Sequence, residues 1–115
     1  MKFLLMLTWA PEWDRLPPAE QQRVVETHGR LKEELTRQGK FVESSALRSP
    51  SEAVTVRRRE GKPVVVDGPF TEAKEAIGGF YIVKAASRDE AIEWAKKVPV
   101  VGSGGVEVRA LWEEG

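Results

Sequence analysis

Cysteine and asparagine are absent from this 115-residue sequence, and histidine and tyrosine occur once each. Without cysteine there are no disulfides, no thiolate nucleophiles and no thiolate metal sites. A zinc site would have to draw nearly all its ligands from carboxylates beside the single His28, so no metal is expected. Charge of one sign is also lacking in excess: 18 Lys and Arg balance 18 Asp and Glu. No global field therefore draws the chain to nucleic acid or to an anionic membrane. The apolar run in Met1-Lys2-Phe3-Leu4-Leu5-Met6-Leu7-Thr8-Trp9 is too short to span a bilayer, and no small-residue cleavage site follows it. It reads as a buried first strand, and the protein is expected to be soluble and cytoplasmic. There is no Gly-x-Ser-x-Gly elbow to make a nucleophile of Ser44, Ser45 or Ser103. Gly102-Ser103-Gly104-Gly105 lacks the lysine and following helix of a phosphate loop, and no nucleotide, haem, flavin or other cofactor is indicated. Absent Asn and Cys, with 31% charged residues, is the composition of thermophilic proteins.

A chain of this length makes one domain, residues 1–115, with room for a real core. Lys2 to Trp9 is apolar with little alternation, as in a strand buried on both faces. Pro17-Pro18 can open a helix, because proline is tolerated at the first helical position, and Gly39 can end it. Between them Val24, His28, Leu31 and Leu35 form the apolar stripe that lays a helix on a sheet. Gly29 in that helix suggests either close approach of another backbone or plain tolerance. Phe41 to Leu47 reads as a second strand. Ala53 to Arg57 and Pro63 to Val66 read as a hairpin turning at Glu60-Gly61, with Arg57-Arg58-Arg59 as a solvated, edge-protecting run at its tip. Phe80 to Lys84 alternates, sending Phe80 and Ile82 to one face and Tyr81 and Val83 to the other. Ser87-Arg88-Asp89-Glu90 is a capping box opening a second helix that buries Ala91, Trp94, Ala95 and Val98. Val106 to Trp112 alternates as a last strand with one polar face. Two helices on one face of such a sheet leave its other face bare, and a second copy of the chain is the natural cover, giving a homodimer.

Two apolar β-rich runs flank Asp67-Gly68-Pro69-Phe70-Thr71-Glu72, a turn that commits a carboxylate, a glycine, a proline and an aromatic in succession. The bland account is a turn device: Asp67 accepts amides ahead of it and caps a helical turn over Thr71 to Ala76, while Phe70 plugs the core. These residues, with Lys74-Glu75, Gly78-Gly79-Phe80 and Val106-Glu107-Val108-Arg109, resemble the DGPF branch of the YCII-related domain family over nearly the whole chain. The resemblance implies an α+β fold: a ferredoxin-like split βαβ unit with an antiparallel sheet, pairing as a dimeric α/β barrel.

It also implies a site. In the wider family a histidine on the first helix and a carboxylate are proposed as a catalytic pair, which would here be His28 with Asp67, Glu43 competing for the second place. A carboxylate on one imidazole nitrogen would leave the other as a base near neutral pH, suited to proton abstraction from, or water attack on, a small polar substrate. Tyr81, Phe70, Trp9 and Arg109 are candidate ligand-binding residues, with Trp13 a further aromatic wall. For Arg109 a cross-strand ion pair is the competing role. DGPF proteins are often encoded beside extracytoplasmic-function sigma factors, so the resemblance implies a sigma factor as an alternative partner to a small molecule.

Overall fold

The computed structural model describes residues 1–70 and 76–113. In chain order it has β1 (Lys2–Thr8), α1 (Pro18–Arg37), β2 (Phe41–Ala46), β3 (Val54–Arg59), β4 (Lys62–Asp67), β5 (Ile77–Lys84), α2 (Arg88–Lys96) and β6 (Val106–Ala110), with short 3-10 turns at Pro11–Arg15 and Pro50–Glu52. Four strands make one antiparallel sheet in the order β2-β5-β1-β6. With α1 between β1 and β2, and α2 between β5 and β6, this is the ferredoxin-like split βαβ order. The β3–β4 hairpin is an insertion that forms its own two-stranded sheet.

Each helix ends where its sequence dictates. Proline opens α1, and Gly39 at φ 69° closes it. The Lys40 amide then donates to the Leu35 carbonyl at 2.8 Å and that of Gly39 to Thr36 at 3.0 Å, the paired bonds of a Schellman motif. At α2 the Glu90 amide donates to Ser87 Oγ at 3.2 Å, while the Glu90 carboxylate reaches one residue further than a standard capping box, accepting from the Ala86 amide at 2.7 Å. Lys40 pairs with the same carboxylate, and its hydrogen bond is the main cause of the lowered pKa of Glu90.

The core lies between sheet and helices, where Phe3, Leu5, Tyr81 and Val83 meet Leu31 and Leu35 of α1 and Ala91 and Trp94 of α2. The stripe on α1 is therefore a true packing face, buried at its C-terminal half, with Val24 and His28 half-buried. β1 is buried on one face only. Phe3 and Leu5 are covered by the helices, whereas Leu4 and Met6 point to the opposite face, which no layer of the described chain covers. Register places Phe80, Ile82, Glu43, Glu107 and Arg109 on that open face as well.

Two glycines let the strands close up at one end of the sheet. A Cβ on Gly78 would stand 2.7 Å from the Trp9 Cα, and one on Gly79 would stand 3.0 Å from the Ser45 carbonyl oxygen. Gly29 carries no such constraint, since a Cβ there meets nothing within 4 Å. Gly102 to Gly105 is tied down: Thr8 N donates to the Gly105 carbonyl at 3.2 Å, and the Gly105 amide donates to Thr8 Oγ1 at 3.0 Å.

Candidate functional site

At the end of the sheet where Gly78 and Gly79 pinch the strands, an open cavity of about 740 Å³ lies between α1 and the strand ends. β1 delivers Trp9 to its wall, the first 3-10 turn delivers Trp13, and α1 delivers Val24, His28 and Lys32. Gln21 Nε2 donates to the Trp13 carbonyl at 2.9 Å, pinning the turn that carries this indole to α1. The Trp9 amide donates to the Ala76 carbonyl at 2.6 Å and anchors the other. β5 contributes Tyr81, and Val100 and Val101 line the side nearest β6.

The polar centre of the wall is a contact between helix and sheet. His28 Nδ1 and the Tyr81 hydroxyl are 2.6 Å apart. Tyr81 is 3% exposed, its ring held in the core by the alternation that also buries Val83. Burial pushes its phenol up to about 12. Burial, and then the positive charge of Lys32 one turn along α1, lower the imidazole pKa below its usual 6.5. Both groups are therefore neutral at neutral pH, with two protons shared between them. The phenol can donate to Nδ1, leaving Nε2–H as a donor. The imidazole can instead donate from Nδ1–H to the phenol oxygen, which presents a bare Nε2 and the phenol proton together. The second arrangement offers a base and an acid side by side.

Of the residues the sequence singled out, His28, Tyr81 and Trp9 meet at this cavity, together with Trp13. Asp67 is exposed at the end of β4 and lines neither this cavity nor a second groove described below; the described partner of His28 is a phenol. The turn after Asp67 is held in part by Thr55, whose hydroxyl donates to the Gly68 carbonyl at 2.7 Å while the Gly68 amide donates to Ala53 at 2.8 Å. The expected helical turn over Thr71 to Ala76 lies, but for Ala76, outside the described residues. Phe70 is not a core plug: it is 76% exposed and lines a groove of about 970 Å³ with Met6, Ile77 and Val106. Arg109 donates to Glu107 on its own strand at 2.7 Å, an i,i+2 pair in place of the cross-strand one. Glu43 sits on the open sheet face, opposite Ile82. Lys32 was not anticipated as a wall residue, although its place one helical turn after His28 was a signal that it shares that face.

Among the described residues, no three His, Asp or Glu side chains converge as metal ligands would, and no helix is long and apolar enough to cross a membrane. The YCII-related domain profile matches residues 1–114. An uncharacterised protein of Rhizobium meliloti (strain 1021) is 34% identical over 100 residues, which span 84% of this chain and 81% of that protein.

Proposed function

This chain belongs to the YCII-related domain family, and on that footing we propose that the cavity between α1 and the strand ends takes a small molecule with an apolar body, whose polar end meets the His28–Tyr81 pair. The 2.6 Å contact between a helix imidazole and a buried phenol at an otherwise largely apolar wall carries the proposal. Two indoles and the valines of α1 and the 99–101 segment supply apolar contact area. The neutral pair supplies a donor, or a donor with an adjacent base, as the ligand selects. A ligand with an ionisable C–H, or a bound water, at Nε2 would favour the arrangement in which the imidazole accepts a proton there. On this reading the candidate chemistry belongs to His28 and Tyr81, and Asp67 serves the turn.

A thermal-shift screen of small organic acids and amides against wild type, His28→Gln and Tyr81→Phe is the test. A compound that raises the melting temperature of wild type, with the shift lost in both variants, is expected. A shift that survives both variants but vanishes in Asp67→Asn would return the chemistry to the carboxylate. No response to any compound, with recovery of a sigma factor in a pull-down, would replace the pocket by a regulatory contact.

A second property is supported by the open sheet face. Leu4, Met6, Phe80 and Ile82 share it, the core helices lie on the opposite side, and at its Met6 end it borders the groove lined by Pro69 and Phe70. A second copy laid face to face would cover the same residues on both chains, forming a homodimer around two sheets.

A further inference from the structure

Gly29 sits in the interior of α1, where glycine is less favourable than any residue but proline. The usual structural reasons for keeping a glycine do not apply to it. Its φ is not positive, unlike those of Gly39, Gly61, Gly68 and Gly102, and a Cβ built on it meets nothing within 4 Å. Gly78 and Gly79, which line the same cavity, are held as glycine by the strands that crowd them. No other element of the described chain crowds Gly29.

Gly29 does have a place on the cavity wall. α1 presents two rows of residues there at the four-residue spacing of a helix, Val24, His28 and Lys32 in one and Val25 and Gly29 in the next. Helical side chains lean toward the N-terminus, so a side chain at position 29 would lie over toward Val25. Its absence leaves a bare notch that runs from the helix backbone at 29 to Val25, beside the imidazole. Val25 is 59% exposed, and Val100, which lines the same cavity, is 42% exposed. Two apolar side chains are thus open to solvent at a cavity of about 740 Å³, within the roughly 300–1,000 Å³ of small-molecule sites.

We propose that Gly29 is the specificity-determining residue of this cavity, its missing side chain making room for a ligand that carries a ring or a branched carbon directly beside the polar group that meets His28. This rests on the binding reading given above and adds the shape of the ligand to it. The bulk belongs beside the polar group because His28 and Gly29 are consecutive residues, so the notch begins within one side chain's width of the imidazole. A straight chain would leave it unfilled, and the atoms lining a void lose their contacts on that side. The occupant is a small molecule because the notch opens into the cavity whose polar centre is the His28–Tyr81 pair.

Isothermal titration calorimetry of the full chain with benzamide and with hexanamide tests the notch. An uncharged amide offers the neutral pair both a donor and an acceptor, and it is indifferent to the opposite charges of Asp14 and Lys32 on the cavity wall. Wild type is expected to bind benzamide more tightly than hexanamide. Gly29→Leu places a strong helix former over the bare strip, and should weaken benzamide at least about tenfold while raising the melting temperature. Gly29→Ala should do both to a smaller degree, and decides the matter if the leucine variant does not fold. Benzamide affinity that is the same in wild type and the Gly29 variants but lost in His28→Gln overturns the notch and leaves the binding reading standing. A preference for hexanamide in wild type overturns it equally. So does a Gly29→Leu chain that keeps its benzamide affinity but changes its sedimentation, which would assign the notch to a protein contact. If wild type binds neither amide the notch falls, and the binding reading then rests on the wider thermal-shift screen.

Discussion

The rings of His28 and Tyr81 are nearly parallel, 19° between planes with centroids 5.8 Å apart, while their polar atoms touch at 2.6 Å. A side chain of α1 and one of β5 are thereby locked edge to edge across the helix–sheet junction, at the wall of the cavity. Because the chain has one histidine and one tyrosine, each group can be followed alone in solution.

The imidazole should titrate below 6.5, since burial disfavours its charged form and Lys32 adds repulsion. Proton NMR of the single histidine measures this directly. Lys32→Gln should move the midpoint upward, because the repulsion that Lys32 adds to the charged ring is removed. A wild-type midpoint above 6.5 would contradict the burial of the pair.

Stability should have a plateau bounded by the two titrations. The folded imidazole resists protonation that the unfolded chain accepts at 6.5, so the unfolded state binds more protons as pH falls through that value and stability is lost. At the other end, the unfolded phenol ionises near 10.0 while the folded one holds its proton to about 12. Stability therefore falls again as pH rises above 10.0. Urea unfolding across pH should show both limbs, and His28→Gln should flatten the acid one near 6.5 while leaving losses at lower pH that come from carboxylates such as Glu90.

Two glycine substitutions should act in opposite directions. Gly78→Ala forces a Cβ against the Trp9 backbone and should cost about 1–3 kcal/mol. Gly29→Ala meets open space inside α1 and should gain up to about 1 kcal/mol. Equal effects, measured by chemical denaturation, would show that the pinch between β1 and β5 is not tight in solution.

Removing the cap of α2 should be felt at a distance. Ser87→Ala deletes the acceptor of the Glu90 amide and should cost about 1 kcal/mol. Glu90→Ala should cost more than Ser87→Ala, since one carboxylate serves both the Ala86 amide and Lys40. A Glu90 variant as stable as wild type would show that the bridge from Lys40, just before β2, to α2 contributes nothing.

Much of the architecture was legible because it rests on local chemistry. The apolar stripe over Val24, His28, Leu31 and Leu35 does face the sheet, the alternation along β5 does separate Tyr81 from Phe80, and Gly39, Glu60-Gly61 and Ser87 stop, turn and cap as their residue types require. The site was legible only in part. Four of its members, His28, Tyr81, Trp9 and Trp13, carried rare or bulky side chains that drew notice, but the pairing of His28 with Tyr81 did not announce itself. Phe70 resembled a core residue by type and is exposed on the insertion.

By itself the sequence determined the elements and the faces of α1, β5 and α2, though not that β1 is buried on one side only, because propensity, periodicity and capping act over a few neighbouring residues. It was tertiary structure that set Tyr81 against His28 across 53 positions of chain and carried Asp67 away on a separate hairpin. Which side chains meet depends on where whole elements are packed and how strands are ordered. That geometry is fixed by burial summed over the entire core, and no local pattern around either residue encodes it.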